Sequence, residues 1–239
     1  MQNMLEVSGL RKKFGSTRAL DGADMALPEG SVTGLLGPNA SGKTTLLKIA
    51  AGLLHPASGQ VRWPGGAAGG PRARASTAFC PDTLLFPHGT RVRGAFAFYR
   101  DMYPDYSQAR ADELIAMLGL GEYSAQYVAK LSKGTRERLA VALTFSRHTS
   151  LYLLDEPLDG IDPLGKTKII DAVIALKPES AAVLISTHMV RDLERIFTHV
   201  YFLSKGKTVF SGECDAMREA SGRTVEQAYL EVFTHEGSA

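Results

Sequence analysis

The sequence predicts an α/β fold: a largely parallel sheet covered by helices, with a region of short strands at the N-terminus and a helical insertion. Three observations carry that reading. Four short runs are apolar nearly throughout: SVTGLLG (31–37), LYLLD (151–155), AAVLIST (181–187) and VYFLS (200–204). Strands buried on both faces have this pattern. Helical periodicity lies between them. Ala111, Leu114, Ile115 and Leu118 fall at i, i+3, i+4 and i+7, and Ile170, Val173, Ile174 and Lys177 start the same pattern before Pro178 breaks it. Strands alternating with helices are the mark of the α/β class.

Two regions interrupt the alternation. The chain up to about residue 74 reads as short strands and turns. Its stretch PGGAAGGPRARA is Gly/Ala-rich and is expected to be a flexible hairpin tip. Residues 86–130 read as helical and hold Phe86, Phe96, Phe98, Tyr99, Tyr103 and Tyr106, some of which must belong to a local core. The last stretch, TVEQAYLEVF, is expected to pack an amphipathic helix on the domain through Val225, Ala228, Tyr229 and Val232.

Composition narrows the class. The 239 residues are 44% apolar and 22% charged, as in a globular domain, with a net charge of +2 that calls for no polyanionic partner. The basic residues are scattered, Arg11, Lys12 and Lys13 being the densest cluster, and three basic residues in a row usually make a solvated edge. Two cysteines, Cys80 and Cys214, without a CxxC or a partnered histidine, suit a reducing compartment and no disulfide framework or structural zinc site. No apolar run approaches the roughly 20 residues that span a bilayer, and the N-terminus lacks the layout of a signal peptide. The expectation is a soluble chain whose membrane role, if it has one, comes through a partner.

The stretch GPNASGKTT satisfies G-x-x-x-x-G-K-[ST], follows an apolar strand and precedes a helix-like run. Gly37, Pro38, Asn39, Ala40, Ser41, Gly42, Lys43, Thr44 and Thr45 are therefore candidate phosphate-binding residues. Glycines let the backbone bend around a phosphate, and the helix N-terminus turns its N–H groups towards the anion. Lys43 is placed to reach the β- and γ-phosphates and Thr44 to ligate Mg²⁺.

LYLLDEP ends an apolar run with two acids. Asp155 suits Mg²⁺ at a strand end. Glu156, the next residue, points elsewhere and is the candidate to orient or deprotonate a water. That choice favours hydrolysis over transfer to an acceptor.

The stretch LSKGTRERLAVAL starts a helix, with Ser132 as N-cap. Gly134 falls in its first turn, where glycine costs about 1 kcal/mol relative to alanine. Read alone, this is a weak anion site.

These motifs, in this order, resemble the ATP-binding cassette (ABC) family over nearly the whole length, to about residue 212. The resemblance implies a P-loop NTPase (RecA-like) core with an N-terminal antiparallel β subdomain and an inserted α-helical subdomain. The whole chain is then one ABC ATPase domain (1–239), with core and β subdomain in 1–85 and 146–239 and the helical subdomain in 86–145. LSKGT becomes the family's signature, usually close to LSGGQ. Phe14 falls where the family places an aromatic that stacks on adenine. PLDGIDP resembles the loop after the acidic pair, with Asp162 its acid, and His188 resembles the histidine that senses the γ-phosphate, acting in catalysis with Glu156 and Lys43.

There are departures. Asp82 stands where the family usually has Gln, and could reach the metal or a water. Ala40 replaces a common Gly, which suits a loop that needs no positive φ there. Lys133 and Thr135 replace the signature's usual Gly and Gln. Lys133 adds charge near a phosphate site, either strengthening that contact or lying in solvent.

The resemblance further implies ATP and Mg²⁺ as cofactors, and a head-to-tail homodimer, or a heterodimer with a second ATP-binding subunit, with ATP sandwiched between subunits. Ser132 and Gly134 would face the γ-phosphate held by the other subunit. A separate transmembrane permease would dock near residues 86–106, leaving the chain cytoplasmic and peripheral on the inner face of the plasma membrane. FYRDMYPDYS also resembles a bacterial branch of single-cassette exporter ATPases. The alternative is a soluble ABC ATPase acting on ribosome or nucleic acid. No nucleic-acid partner is expected, because neither a long heptad run nor a basic stripe is present.

Overall fold

The computed structural model describes residues 2–63, 66–67 and 70–236. The chain opens with two long strands, β1 (Asn3–Phe14) and β2 (Thr17–Pro28), followed by β3 (Val32–Leu36) and α1 (Lys43–Ala50). β4 (Ser58–Trp63), β5 (Gly66–Ala67), α2 (Pro71–Ala75) and β6 (Thr77–Cys80) come next. The helical region holds α3 (Val92–Met102), α4 (Gln108–Met117) and α5 (Lys133–Phe145). Then β7 (Leu151–Asp155), α6 (Pro163–Leu176), β8 (Ala182–Thr187), α7 (Val190–Leu193), β9 (His199–Ser204), β10 (Lys207–Glu213), α8 (Cys214–Ser221) and α9 (Val225–Glu236) complete the chain. None of the helices among the described residues is long and apolar enough to cross a membrane.

Two sheets form. The first has strand order β2-β1-β4-β5 and is antiparallel; the second has order β10-β9-β3-β8-β7-β6 and is parallel but for β10. β7 shows why the apolar runs are continuous. Its Leu151 and Leu153 enter a core shared with the first sheet and with Leu46 and Leu47 of α1. Its Tyr152 and Leu154 enter the core formed with α3 to α6. Side chains alternate across a strand, so a strand with cores on both sides has no polar face. Burying each such leucine is worth roughly 1.5–3 kcal/mol.

Several local expectations change. β1 and β2 have 12 residues each, long rather than short, and register shifts interrupt the ladder between them. The Gly/Ala-rich stretch is only partly a hairpin: Trp63 pairs with Gly66, and its PRARA end forms α2, with Ala73 buried. Its residues 64–65 and 68–69 lie outside the described residues. On α6 the buried face is Ile169, Ile170, Val173 and Leu176, while Ile174 faces solvent. The C-terminal helix packs as expected, with Val225 and Ala228 buried and Tyr229 edge-on to Phe202.

Candidate nucleotide site

The C-terminal ends of three neighbouring strands, β3, β8 and β7, converge at one edge of the parallel sheet, where α/β proteins bind ligands. From β3 the chain enters the phosphate loop. Gly42 has φ 110, and a Cβ there would sit 2.4 Å from the Ala19 carbonyl oxygen, so only glycine lets β2 and the loop lie together. Gly42 also precedes α1 without any side-chain cap. The first N–H groups of the helix are thus left for an anion.

Lys43 is nearly buried. Its Nζ donates to the carbonyls of Gly37 (2.8 Å) and Pro38 (3.2 Å) and pairs with Glu156 Oε1 at 3.2 Å. Ala40 has φ 63. The sequence reading tolerated alanine here if positive φ was not needed; the loop does need it, at a cost of about 1–2 kcal/mol for a residue with a Cβ.

Asp155 and Glu156 leave β7 in different directions. Asp155 is fully buried: its Oδ1 accepts from Ser186 Oγ (2.6 Å) and Thr44 Oγ1 (3.1 Å). Its Oδ2 is buried with no hydrogen-bond partner among the described residues. Burial raises the Asp155 pKa above the usual carboxylate range, against the Ser186 and Thr44 hydrogen bonds, while the nearby charges of Asp82 and Glu156 add to the rise. An unpaired buried carboxylate oxygen beside a threonine hydroxyl has the donor chemistry of a hard divalent cation, so these residues fit Mg²⁺.

Glu156 sits at φ 49, a left-handed conformation that is uncommon for such a residue. Its N–H is shared between the Ser186 carbonyl and hydroxyl, both at 3.1 Å. The turn aims the carboxylate at two groups: Oε1 faces Lys43, and Oε2 lies 3.0 Å from His188 Nδ1 and accepts from the His188 N–H at 3.3 Å. Lys43, Glu156 and His188 therefore form one chain of contacts.

The other predicted residues lie further out. Phe14 ends β1 opposite Thr17, half exposed, with Lys12 Nζ 5.4 Å from its ring centroid. This hairpin end belongs to the same strand pair whose Ala19 touches Gly42. Asp82 is exposed just beyond β6. Ser132 caps α5 as expected, accepting from the Thr135 N–H at 3.2 Å. The buried Thr135 hydroxyl lies 2.8 Å from Ser132 Oγ and accepts from Arg138.

No hydrogen bond or ion pair among the described residues joins Ser132 or Gly134 to the phosphate loop. A Cβ on Gly134 would find its nearest neighbours, Ile161 and Gly160, at 3.9–4.0 Å. The chain's own packing therefore does not demand glycine there.

Three outcomes were not foreseen. Lys133 neither lies free nor meets the phosphate loop: its Nζ bonds Asp159 Oδ2 at 2.5 Å. Asp162, the acid of its loop, also caps α6 by accepting from the Gly165 N–H at 3.0 Å. Ser186 anchors both acids, and only the parallel register that sets it beside Asp155 identifies it.

Beside the site lies an open groove of about 840 Å³, lined by Leu84, Leu85, Phe86, Phe98, Tyr99 and Tyr103. Phe96 instead belongs to the core. On the groove floor Arg147 binds both oxygens of Asp105 at 2.9 Å and donates to the carbonyls of Thr77 and Ala75. Its guanidinium also lies 4.1 Å from the Tyr103 ring centroid.

Comparison with known proteins shows the family and the fold. The family model for ABC transporters matches residues 20–159. An uncharacterised ABC transporter ATP-binding protein of Bacillus subtilis, YdbJ, is 32% identical across 98% of this chain and 75% of its own. The lantibiotic transport ATP-binding protein SrtF of Streptococcus pyogenes is 27% identical, covering 89% of this chain and 92% of its own. The daunorubicin resistance ATP-binding protein DrrA3 of Streptomyces coeruleorubidus is 29% identical, covering 91% and 71%. A solved ATP-binding subunit of an ABC transporter superposes with a TM-score of 0.85 at 25% identity, covering 96% of this chain and 99% of that one. A dimeric ATP-binding cassette bound to ADP and Pi shares the fold, with a TM-score of 0.77 at 22% identity over 88% of this chain and 98% of its own.

The chain belongs to the ABC transporter family and is one of its ATP-binding ATPase subunits. Such subunits dimerise and act with membrane permeases. The alternative role on ribosome or nucleic acid finds no support in these matches.

Proposed function

We propose that the chain hydrolyses ATP in a head-to-tail dimer, its phosphate loop and acidic pair forming one half of each site and the signature turn of a second subunit the other. The observation that carries this reading is the divergence of two adjacent carboxylates. Asp155 faces Thr44 with one oxygen unpaired, while Glu156 faces Lys43 and His188.

Thr44 and Asp155 are the residues to hold Mg²⁺, with Asp82 close enough to add charge. The ion would supply charge neutralisation between the β- and γ-phosphates. Lys43, now held by two loop carbonyls, has the reach and charge to turn to those phosphates. Glu156 is the group to take a proton from the attacking water, and His188 holds its carboxylate in place. Phe14 offers an aromatic face to adenine. Ser132 and Gly134 present the bare first turn of α5 to a γ-phosphate on the second molecule, which is why glycine is kept where the chain itself would accept alanine.

Residues 86–145 form the arm that carries this turn, and the aromatic groove beside it suits a segment of a separate transmembrane subunit at the inner face of the plasma membrane. The likeness to lantibiotic transport and daunorubicin resistance proteins favours an exporter. Replacing Glu156→Gln is expected to lower phosphate release by about 10²–10⁴-fold, the range of general-base catalysis. Sedimentation should then show a dimer that accumulates only with ATP. Undiminished turnover would remove Glu156 from its role.

A further inference from the structure

Lys133 and Asp159 have no part in the roles above, yet they join the two segments on which the dimer reading depends. The segment 158–161 follows the acidic pair. Its Leu158 and Ile161 are buried and peg it down, and the Asp159 N–H donates to the Glu156 carbonyl at 3.1 Å. Asp159 and Gly160 are left at its crown.

Lys133, the first residue of α5, lies across that crown. Its ammonium meets Asp159 Oδ2, and its stem runs so close to Gly160 that a Cβ there would sit 2.8–3.0 Å from Lys133 Cδ, Cε and Nζ. Gly160 also has φ 70, which glycine adopts without strain. A lysine at the start of a helix opposes the helix dipole, and a carboxylate beside it offsets this. The pair's side chains are 51% and 47% exposed, and ion pairs so exposed add little to stability. A contact with so little stabilising effect, but with a glycine that makes room for it, acts through geometry.

We infer that Lys133 is a positioning residue: paired with Asp159 and laid over Gly160, it ties the turn 132–134, which faces the second subunit's ATP, to the turn leaving Glu156, which faces the chain's own. The inference rests on the dimer reading above. Its consequence is that the two ATP sites of a dimer report to each other through each chain. A shift of Glu156 on its own nucleotide moves Ser132 and Gly134 against the other.

The test uses the full chain in the Glu156→Gln background, measuring by sedimentation the ATP concentration for half-maximal dimerisation. Lys133→Met keeps the stem and removes the charge; Asp159→Asn removes the acceptor charge. Each is expected to raise that concentration about tenfold, and the double variant no further, because both break one interaction. Lys133→Arg, which keeps the charge, should stay within about threefold of the parent. Affinity of the monomer for a fluorescent ATP analogue and the melting temperature should not move.

Single variants that dimerise like the parent would overturn the inference. So would effects that multiply in the double variant, or a parallel loss of monomer affinity. If the Glu156→Gln parent itself fails to dimerise with ATP, the dimer reading has failed, and the inference falls with it.

Discussion

The acidic centre and the signature turn are both built on loops at the ends of regular elements, but they differ in how far one chain completes them. At the acidic centre nearly every polar atom has a partner within the chain: Lys43 with Glu156, Glu156 with His188, Asp155 with Ser186 and Thr44. At the signature turn Ser132 and Thr135 bond each other, Lys133 is held by Asp159, and a Cβ on the one glycine would meet only ordinary contacts at 3.9–4.0 Å. A site whose residues are explained by their neighbours is finished within the molecule. A site whose glycine no neighbour in the chain requires is half of something.

The strongest way to break this contrast is Lys43→Ala. It removes a buried cation from Glu156 and two carbonyls, and should weaken ATP binding about 100-fold or more, as loss of one partner in a buried charged contact does. Titration calorimetry measures this, while helix content should stay that of the parent. Gly134→Ala probes the other side. The chain alone should gain up to about 1 kcal/mol, while ATP-dependent dimerisation should weaken by about tenfold. Thermal melts and sedimentation on the same sample read the two effects, and a variant that dimerises like the parent would remove Gly134 from the phosphate.

A smaller effect tests the helix behind the turn. Glu137 is buried on α5, and burial pushes its pKa from 4.5 up to about 7, against the opposing charge of Lys133. Below pH 4.5 both folded and unfolded chains hold the proton. Between 4.5 and 7 only the folded chain does, so this group's contribution to stability falls as pH rises through that window and stays low above it. Glu137→Gln should therefore stabilise the chain by on the order of 1 kcal/mol at pH 8 and have little effect at pH 4, read by denaturant titration at both pH values. Ala40→Gly is the smallest. Relief of left-handed strain, less the entropy glycine adds to the unfolded chain, leaves about 0.5–1 kcal/mol, visible as a small rise in melting temperature.

How much of this was legible in the sequence follows the same contrast. The parallel strands were legible because burial on both faces keeps runs such as 151–154 and 182–185 apolar nearly throughout. The phosphate loop was legible because its glycines, lysine and threonine are contiguous. Ser186 was not, because a serine at a strand end means nothing until β7 and β8 are known to be neighbours. Asp159 was hidden in the same way: its partner Lys133 is 26 residues distant. Asp162 and Asp159 are both acids of one loop, and only the start of α6 decides that the first caps a helix while the second is left for Lys133. Ala40 misled because a conformation that usually demands glycine was taken up by a residue that can be forced into it.

The pairing of Asp155 with Ser186 across β7 and β8 has a consequence beyond chemistry. Side chains alternate along a strand, so a slip of one residue would turn Asp155 towards the opposite face and bring Leu154 to the loop. A misregistered chain would hold its fold class but lose its grip on nucleotide. Because a ligand stabilises only the state that binds it, ATP at many times its dissociation constant draws the population towards the one alignment that can hold it. In the cell the nucleotide is then also an inspector of assembly: a chain that binds it has passed a test of strand order accurate to a single residue.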